Sequence, residues 1–432
     1  MAGNEFEVVI VGAGAAGIAA ARRLSDAGVD ALLVEARPRL GGRAWTALDA
    51  SGMPLDLGCG WLHSAQRNPW RQIAEAQGCG IDKTLPPWSR ASIQVGMSAA
   101  DRAAFFEALQ EFRGRVHSLG EELSDQPASK LLDPRSGWNS LIDAVSTYYS
   151  GVELDRVSSR DLARYDDSGV NWRVIEGYGR VIADHGAGLP AKLGCKVERI
   201  DRRGRRLGVE TSDGGIVADA VIVTLPTNLL AEQPALFLPA LPEKTDAAAN
   251  LPLGLADKLF LSLEGADEFE KESRAFGARR TATAAYHFRP FGRPMIEAYF
   301  GGALAADLEA AGERAFFDFA RAELVGLFGE DFAPRIKPLQ VHSWGRDPLS
   351  RGSYSCALPG KADSRAALAA PVDNRLFFAG EACSPTDYST AHGAYLTGVA
   401  AAEQAIAAAR AGGRTLAGTA TKELRWKVRF PF

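Results

Sequence analysis

The chain has 432 residues, 46% of them hydrophobic and 24% charged, and its 49 basic and 53 acidic side chains give a formal net charge of -4. This length predicts two or three domains with a large core, and the near balance of charge argues against nucleic acid or an anionic membrane as a partner. No apolar run approaches the roughly 20 residues of a membrane span, and the first predicted strand begins too early to leave room for a signal peptide, so we expect a cytoplasmic protein.

The five cysteines indicate neither a disulfide framework nor a metal site. Their number is odd, and no two of them have CxxC spacing. We expect each to be a small buried residue rather than a nucleophile. They are Cys59, Cys79, Cys195, Cys356 and Cys383.

The first predicted elements form a strand, a turn and a helix of the kind that binds dinucleotides. Residues 8–11 predict a buried strand, and the Gly-Ala-Gly-Ala-Ala-Gly turn that follows opens an alanine-rich helix to residue 24. Gly12 permits the tight turn, Gly14 lets the backbone approach a pyrophosphate, and Gly17 lets the helix pack on the strand. The free N–H groups of Ala15 and Ala16 at the helix N-terminus then face the phosphates.

A second strand and a basic glycine turn indicate which dinucleotide. Residues 31–34 predict a strand that delivers Glu35 to an adenosine ribose; the alternative is an ordinary βαβ unit with a glycine-rich turn. Gly41 and Gly42 then keep side chains away while Arg37 and Arg43 can neutralise a pyrophosphate; the alternative is a solvated basic loop. NAD enzymes seldom need this second turn, so the pattern favours FAD.

These motifs resemble the FAD-binding N-terminus of the flavin-containing amine oxidase family, which includes monoamine, polyamine and L-amino-acid oxidases and the flavin-dependent histone demethylases. The resemblance rests on the glycine turn, on Val34-Glu35-Ala36-Arg37 and on Gly41-Gly42-Arg43. It implies a Rossmann-like, glutathione-reductase-type α/β domain that binds FAD, formed by residues 1–90, 176–227 and 346–432. An interleaved α+β substrate-binding domain with a helical lid takes residues 91–175 and 228–345.

Residues 55–63 resemble the segment of animal polyamine oxidases in which a glycine-rich strand end lies by the flavin. The resemblance implies that Gly60 and Trp61 touch the flavin and that His63 faces the substrate. A neutral imidazole could accept a hydrogen bond from an ammonium or relay its proton, although a structural histidine would fit the pattern equally. A helix is predicted over residues 70–77.

The helical lid is predicted from apolar residues at helical spacing over residues 99–119, with shorter helices over 141–149 and 161–165. Glu121-Glu122 and Asp166-Asp167 are expected on solvated faces, although an acidic pair near a cavity mouth could attract cationic amines. A strand over 195–200, a hairpin around residues 213–215 and a buried parallel-type strand over 220–226 follow. By the resemblance, the Val197 backbone contacts adenine and residues 224–226 end near the flavin.

The strand predicted over residues 257–263 carries Lys258. Alternation puts Lys258 and Phe260 on one face and three leucines on the other. A lysine that opens a strand is normally a surface residue. The resemblance instead makes Lys258 the residue that holds a water against flavin N5, where an ammonium could position oxygen or stabilise charge. One long amphipathic helix is predicted over residues 304–328.

Two further signatures complete the resemblance, which extends from residue 8 to about residue 408. A loop containing Trp344 resembles the one that lines the re face of the flavin. Monoamine oxidases carry a flavin-linked cysteine where this chain has Ser353, which implies noncovalent FAD. A strand over residues 376–381 then brings Gly380 and Glu381 to the cofactor, where the carboxylate can hold ribityl hydroxyls or a water on the pyrophosphate.

A final helix begins near Thr390 and Ala391, and its positive end would stabilise negative charge at the pyrimidine edge of the flavin. Many family members hold the amine between two aromatic rings. Tyr354 occupies one of those positions, but Thr390 stands where the second ring is often found. The half-open arrangement indicates a bulkier or differently oriented substrate.

The resemblance implies FAD-dependent oxidation of a C–N bond of a primary or secondary amine to an imine, which water splits into a carbonyl compound and an amine or ammonia, with O2 reduced to H2O2. The catalytic residues expected are Lys258, Tyr354, His63 and Thr390. The alternatives are a desaturase or dehydrogenase of the phytoene desaturase or protoporphyrinogen oxidase type, and a flavin-binding protein without turnover. A homodimer is common in the family.

The amine itself is left open by the sequence. The His63 segment favours polyamines, and Tyr354 beside the open Thr390 side favours aromatic or alkaloid-type amines. Amino acids lack an obvious arginine to clamp a carboxylate. A histone demethylase is disfavoured because the chain has no evident inserted tower of two helices.

Overall fold

The computed structural model describes residues 4–90, 95–119 and 124–411. The predicted acidic pair Glu121-Glu122 and the tail from residue 412 lie outside these ranges. The strands are β1 (Glu5–Val11), β2 (Ala31–Val34), β3 (Thr46–Leu48), β4 (Pro54–Asp56), β5 (Ile81–Asp82), β6 (Arg173–Val174), β7 (Ala191–Lys192), β8 (Val197–Asp201), β9 (Leu207–Thr211), β10 (Gly214–Val223), β11 (Phe237–Leu238), β12 (Leu253–Gly254), β13 (Ala256–Leu263), β14 (Ser273–Phe276), β15 (Ala285–Phe288), β16 (Met295–Gly301), β17 (Ile336–His342), β18 (Tyr354–Ser355) and β19 (Leu376–Phe378).

The helices include those predicted at the N-terminal turn, in the lid region and at the end of the chain, together with short helices that were not predicted. They are α1 (Ala15–Asp26), α2 (Pro69–Ala76), α3 (Ala99–His117), α4 (Asn139–Ser150), α5 (Ser159–Arg164), α6 (Tyr178–Gly186), α7 (Thr227–Glu232), α8 (Pro242–Ala249), α9 (Gly302–Ala311), α10 (Glu313–Phe328), α11 (Ser364–Ala369) and α12 (Ala391–Ala411). None of them, in the part of the chain that the structure describes, is long and apolar enough to cross a bilayer.

An eight-stranded sheet organises the dinucleotide-binding half of the molecule. Its order is β11-β8-β9-β10-β1-β2-β7, and β19 pairs with β10 beyond this path. The neighbours β2, β1, β10 and β19 run parallel, and all the residues of β2 are buried, as expected for strands covered on both faces. Helices α1 and α12 pack on one face, where alanines allow close approach. The carboxyl ends of these parallel strands therefore meet at one edge, where ligands bind in such folds.

A five-stranded antiparallel sheet of order β14-β15-β16-β13-β17 forms the second half. As predicted, Leu259, Leu261 and Leu263 share one face, which packs on α9 and α10, while Phe260 faces the other way. Helices α3 and α4 pack against the β14 and β15 side of the sheet, in a cluster that includes Phe105. The helices predicted for a lid are therefore present at the expected places in the chain.

Two sequence predictions about element boundaries were wrong. The single helix predicted over residues 304–328 is two helices, α9 and α10, because Gly312 between them has a φ of +98°, which ends a helix. The hairpin strand and the return strand predicted separately are one strand, β10, whose first half pairs antiparallel with β9 and whose second half pairs parallel with β1. Residues of α7 and α8 also pack on the first sheet.

The cysteines are all free thiols, and Cys195, Cys356 and Cys383 are buried as predicted, whereas Cys59 and Cys79 are half-buried. Burial raises the pKa of the Cys356 and Cys383 thiols to about 12, which keeps them protonated and unreactive. Among the described residues, no group of three or more His, Cys, Asp or Glu side chains is arranged to hold a metal ion.

Candidate active site

A cavity of about 1080 Å³ runs from the carboxyl ends of β1 and β2 to the helical lid. It collects residues that are far apart in the sequence, and Gly17 is the one predicted site residue that does not line it. The predicted residues along it are Gly12, Gly14, Ala15, Ala16, Glu35, Ala36, Arg37, Gly42, Arg43, Gly60, Trp61, His63, Val197, Lys258, Trp344, Tyr354, Gly380, Glu381, Thr390 and Ala391.

The glycines at one end of the cavity are required by close backbone contacts. A Cβ on Gly12, whose φ is +100°, would lie 2.6 Å from the Thr224 hydroxyl oxygen, and one on Gly17 would lie 1.9 Å from the Gly12 carbonyl oxygen. Gly17 therefore sets the helix against the strand, as predicted. The first N–H groups of α1 have no intrahelical partner, and those of Ala15 and Ala16 border the cavity. The result is a side-chain-free channel that ends on a helix N-terminus, which is an anion-binding arrangement.

Glu35 is buried at the end of β2 with both carboxylate oxygens held. One accepts a 2.7 Å hydrogen bond from the Ala13 N–H, and the other accepts a 2.7 Å bond from the Arg37 N–H. The Arg37 guanidinium instead binds Asp347 with two hydrogen bonds of 2.8 and 2.9 Å. Arg37 lines the cavity with its charge matched by Asp347, and its contact with a pyrophosphate stays a prediction.

Glu381 is buried where the first sheet meets the second half of the chain. Its carboxylate accepts hydrogen bonds from Arg43 at 2.9 Å, from the Ser355 hydroxyl at 2.6 Å and from the Ser389 N–H at 2.9 Å. Burial alone would raise its pKa, but Arg43 and Ser355 lower the pKa below its usual value. Glu381 is therefore ionised, and it joins Arg43 in a fixed pair of opposite charges on the cavity wall.

Trp344 and Ser353 are fixed by backbone contacts beside the cavity. The Trp344 indole N–H donates a 3.0 Å hydrogen bond to the Leu57 carbonyl. The Ser353 hydroxyl donates to the Ala256 carbonyl at 3.0 Å and accepts from the Ala256 N–H at 2.9 Å. These contacts hold the Trp344 loop and the start of β13 in one rigid unit.

Lys258 is buried, contrary to the usual place of a lysine at the start of a strand. Its Nζ donates to the Asp56 carbonyl at 2.8 Å, lies 3.1 Å from Glu297 Oε1, and is 5.2 Å from the centre of the Tyr299 ring. Burial would lower its pKa, but Tyr299, Glu297 and Asp56 raise the pKa above its usual value. A Cβ on Gly60 would lie 3.1 Å from this ammonium, so a larger residue there would press on Lys258.

Glu297 begins a buried chain of charges that the sequence analysis missed. Its second oxygen lies 3.7 Å from His287 Nδ1, His287 Nε2 lies 2.6 Å from Glu272, and Glu272 lies 2.6 Å from Arg173. The Arg173 guanidinium lies 4.6 Å from the centre of the Trp61 ring. The only local signal was a charged residue inside an otherwise apolar strand, which is uncommon unless it is paired.

His63 and Trp61 lie on the cavity wall as predicted. His63 Nδ1 is 2.6 Å from the Asn171 side-chain oxygen, which can only accept, so Nδ1 carries the proton and Nε2 is an acceptor. Burial is the main cause that lowers the pKa of His63, so the ring is neutral at pH 7. The Trp61 ring packs edge-on against the Trp88 ring, with 4.5 Å between the ring centres.

Tyr354 and Thr390 both line the cavity, but their hydroxyl groups are already used. The Tyr354 hydroxyl donates to the Tyr148 carbonyl, and burial raises its pKa. The Thr390 hydroxyl donates to the Asp387 carbonyl at 2.6 Å and accepts from the Gly393 N–H at 2.9 Å, which caps the N-terminus of α12. These two side chains therefore shape the cavity and orient α12 rather than offering a free proton.

Arg274 is another cavity residue that the sequence analysis missed. It lies on β14, and its guanidinium is 4.4 Å from the centre of the Phe276 ring. Its local sequence gave no signal, because a lone arginine in a short strand is usually solvent-exposed. Its place in the cavity follows only from the sheet order.

The residues along the cavity fit a flavin dinucleotide. A glycine channel ends on a free helix N-terminus, an acidic side chain closes β2, and a fixed Arg43–Glu381 pair lies further along. The volume of the whole cavity, about 1080 Å³, is larger than most small ligands need. The flavin-containing amine oxidoreductase family model matches residues 15–143 and 95–406. The chain belongs to this family.

Known proteins of the family cover nearly the whole chain. Polyamine oxidase 2 of Arabidopsis thaliana is 30% identical over 92% of this chain and 87% of its own length, and polyamine oxidase 4 of Oryza sativa subsp. japonica is 28% identical over 92% and 88%. The human lysine-specific histone demethylase 2 is 28% identical over 93% of this chain but 53% of its own length. A solved structure of an engineered putrescine oxidase aligns with a TM-score of 0.75 at 20% identity, covering 93% of this chain and 99% of its own.

These similarities confirm the resemblance drawn from the sequence motifs. The flavoenzyme is an amine-oxidising enzyme with FAD as its cofactor, and its α/β fold with a parallel sheet is that of FAD-binding amine oxidases. The desaturase alternative and the flavin-binding protein without turnover are disfavoured, because the curated relatives named above are amine oxidases and a demethylase.

Proposed function

We propose that this flavoenzyme is an oxidase that converts a primary or secondary amine to an imine and passes the electrons to O2, giving H2O2. Water then splits the imine into a carbonyl compound and an amine or ammonia. The observation that carries the proposal is the buried Lys258 ammonium, which lies beside Gly60 where the glycine-lined part of the cavity meets the part lined by aromatic rings. Two relatives named polyamine oxidases make polyamines the first substrates to test.

The dinucleotide end binds FAD without a covalent link. Bound FAD supplies the two-electron redox chemistry, and the protein supplies position and electrostatics. The N–H groups of α1 bind the pyrophosphate, and Glu35 binds the adenosine ribose. Glu381, paired with Arg43, holds the ribityl part of the cofactor or a water on its pyrophosphate. Ser353 carries a hydroxyl with two backbone hydrogen bonds where a linking cysteine would stand, which supports a noncovalent cofactor.

The amine end orients the substrate in a space from which side chains exclude water. His63 Nε2 is a neutral acceptor for an amine N–H, because Nδ1 is committed to Asn171. Trp61 and Tyr354 restrict the position of the reacting carbon, which keeps it in a productive orientation. An acceptor that is neutral at pH 7 can also take the proton from a bound ammonium before the C–N bond is oxidised.

Lys258 provides a fixed positive charge at the reacting end. Its raised pKa means that it stays protonated through the reaction, so it acts as an electrostatic group and not as a base. Its pairing with Glu297 and Asp56 holds the ammonium in one place. A fixed cation stabilises the negative charge that forms as O2 is reduced, without reorganisation of solvent.

The test is anaerobic bleaching of the purified yellow protein by polyamines, arylalkylamines, cyclic secondary amines and L-amino acids, followed by readmission of air. We expect one class to bleach the flavin and peroxide to form in equal amount on reoxidation. Bleaching without peroxide in air would identify a dehydrogenase with another electron acceptor. No bleaching by any amine would reject an amine-oxidising role for this cavity.

A further inference from the structure

The far end of the cavity lies on the same sheet face as Lys258. The register aligns Lys258 with Tyr299 on β16, and Tyr299 with Ala285 on β15. Two residues further along the strands, His287 on β15 is aligned with Arg274 on β14. Since β13 and β14 are three strand spacings apart, their backbones are about 14 Å apart. Arg274 therefore lies well away from the reacting end, at a distance that an extended substrate can span.

Among the described residues, Arg274 lines the cavity without a carboxylate partner, as Arg113 also does. Lys258, Arg43 and Arg37 each form an ion pair with an acidic side chain. Within residues 4–90, 95–119 and 124–411, no acidic group lies within ion-pair or hydrogen-bond distance of the Arg274 guanidinium, which rests on Phe276. Arg274 is half-buried, and a cation partly removed from water without a counter-ion is unfavourable, so this guanidinium is suited to bind an anionic group of a ligand.

The surroundings of Arg274 make this end of the cavity positive. Burial lowers the pKa of Arg274 to about 10, the Tyr148 and Tyr299 phenols oppose that change, and the Arg113 guanidinium adds to it. Arg113 is on α3 and lines the same cavity. The group nevertheless remains charged at pH 7.

The acidic residues that line the cavity lie elsewhere. Glu35 and Glu381 belong to the dinucleotide end, and Asp166 pairs with Arg67 at 2.6 Å. Asp167 accepts hydrogen bonds from Ser64 and from a backbone N–H on its own loop. A second ammonium of an extended diamine would therefore approach the Arg274 and Arg113 guanidinium groups, and none of the acidic residues that line the cavity in the described part of the chain pairs with either, so the contact would be repulsive.

We propose that Arg274 binds a carboxylate at the end of the substrate remote from the reacting C–N bond. The substrate is then a long amine that carries a terminal carboxylate, not a polyamine. A guanidinium presents paired N–H donors that match a carboxylate in geometry and charge. The assignment of which end is oxidised rests on the proposed function, whereas carboxylate binding at Arg274 does not.

Binding is tested first, with holoprotein and a probe that cannot be oxidised as an amine. Decanoate and decanamide are titrated by calorimetry into wild type, Arg274→Met, Arg274→Lys and Arg203→Gln. Arg203 is a matched control, because it is an exposed arginine paired with Asp201 outside the cavity. We expect wild type to bind decanoate more tightly than decanamide, and Arg274→Met to weaken decanoate about ten- to one-hundredfold while changing decanamide less than about threefold. Arg274→Lys should lie between, and Arg203→Gln should match wild type.

Turnover is tested second, with anaerobic flavin reduction by aminodecanoate, decylamine and diaminodecane. We expect aminodecanoate to have the lowest dissociation constant and diaminodecane the highest, with the preference lost in Arg274→Met. If no amine reduces the flavin but decanoate binding still depends on Arg274, the proposed function fails and the carboxylate site stands.

The proposal is overturned if decanoate and decanamide bind wild type equally, or if Arg274→Met weakens both to the same extent. A preference for diaminodecane that survives in Arg274→Met also overturns it. If Arg274→Met does not fold, the wild-type comparison of decanoate with decanamide and the Arg274→Lys variant give the same decision.

Discussion

Replacing Lys258 with methionine tests whether its ammonium is the counter-ion of a buried carboxylate. The Lys258 Nζ and Glu297 Oε1 are 3.1 Å apart and both side chains are buried. With an effective dielectric constant of about 20, their attraction is about 5 kcal/mol. Breaking a buried pair by removing one partner typically destabilises by about 3 to 5 kcal/mol. We therefore expect Lys258→Met to lower the free energy of unfolding by about 3 to 5 kcal/mol at pH 8.

The loss of unfolding free energy in Lys258→Met should depend on pH, and the structure indicates that it is larger at high pH. In wild type the pKa of Glu297 is lowered despite burial, because of Lys258 and His287, so its stabilisation is present above the unfolded-state pKa of about 4.5 and is lost as the pH falls below it. Without Lys258, the first of the groups that lower it, we expect burial to prevail over His287 and Arg173 and to raise the pKa of Glu297 above that of the unfolded chain. The folded variant then binds a proton that the unfolded chain releases, so its deficit grows from pH 5 to pH 8.

The loss of stability is measured by urea unfolding at pH 5 and pH 8 with excess FAD. Tryptophan fluorescence monitors the unfolding. Adding Glu297→Gln to Lys258→Met should recover most of the loss, because it removes the unpaired charge. The control is Lys244→Met. This buried lysine binds three backbone carbonyls, so its loss should be the same at both pH values. Equal losses for Lys258→Met at pH 5 and pH 8, or no recovery in the double variant, would refute the reasoning.

Three further predictions concern the cofactor and the amine end. Gly17→Ala places a Cβ 1.9 Å from a backbone carbonyl, so we expect a protein without bound flavin, whereas Gly114→Ala meets nothing within 4 Å in α3 and should gain about 0.5 to 1 kcal/mol. Flavin absorbance and thermal unfolding compare the two, and full flavin content in Gly17→Ala would contradict the packing. Glu35→Ala leaves two buried N–H groups without acceptors, so the dissociation constant of FAD, measured by fluorescence titration, should rise at least about tenfold; an unchanged constant would reject Glu35 as a binding residue. Burial lowers the pKa of His63, so kcat/KM should fall only as the pH drops through this lowered pKa. His63→Gln should remove this acidic limb, and its persistence would assign the limb to another group.

Local sequence features were enough to predict the dinucleotide-binding unit. Strand β1, the glycine turn and helix α1 are contiguous, and Gly12 and Gly17 are required by the turn and by the close contact between them. The same holds for the strand β19 and helix α12, which the sequence placed within a few residues. Elements of this kind are determined by residue type and spacing over short distances, so they could be read without a tertiary structure.

Charge partners are a different matter, because they are set by which strands are neighbours. Lys258, Glu297 and His287 come from three strands whose order in the sheet differs from their order in the chain. The partner of Arg37 is likewise distant in the sequence, because Asp347 is 310 residues away. A lysine or arginine has the same neighbours in the sequence whether its charge is solvated, is paired with a carboxylate or binds a ligand. Sequence spacing therefore could not distinguish these three environments.

The sequence by itself therefore predicted the fold class, the cofactor and the residues that line the dinucleotide channel. The first βαβ unit followed from its local turn, helix and strands, and the remaining cofactor residues followed from the resemblance to a known family. The tertiary structure alone decided that Lys258 is a buried cation paired with Glu297 and that Arg274 is a cavity cation without an acidic partner among the described residues. The physical reason is that burial and pairing of charge depend on the packing of distant segments, and the free energy of a charge depends on both.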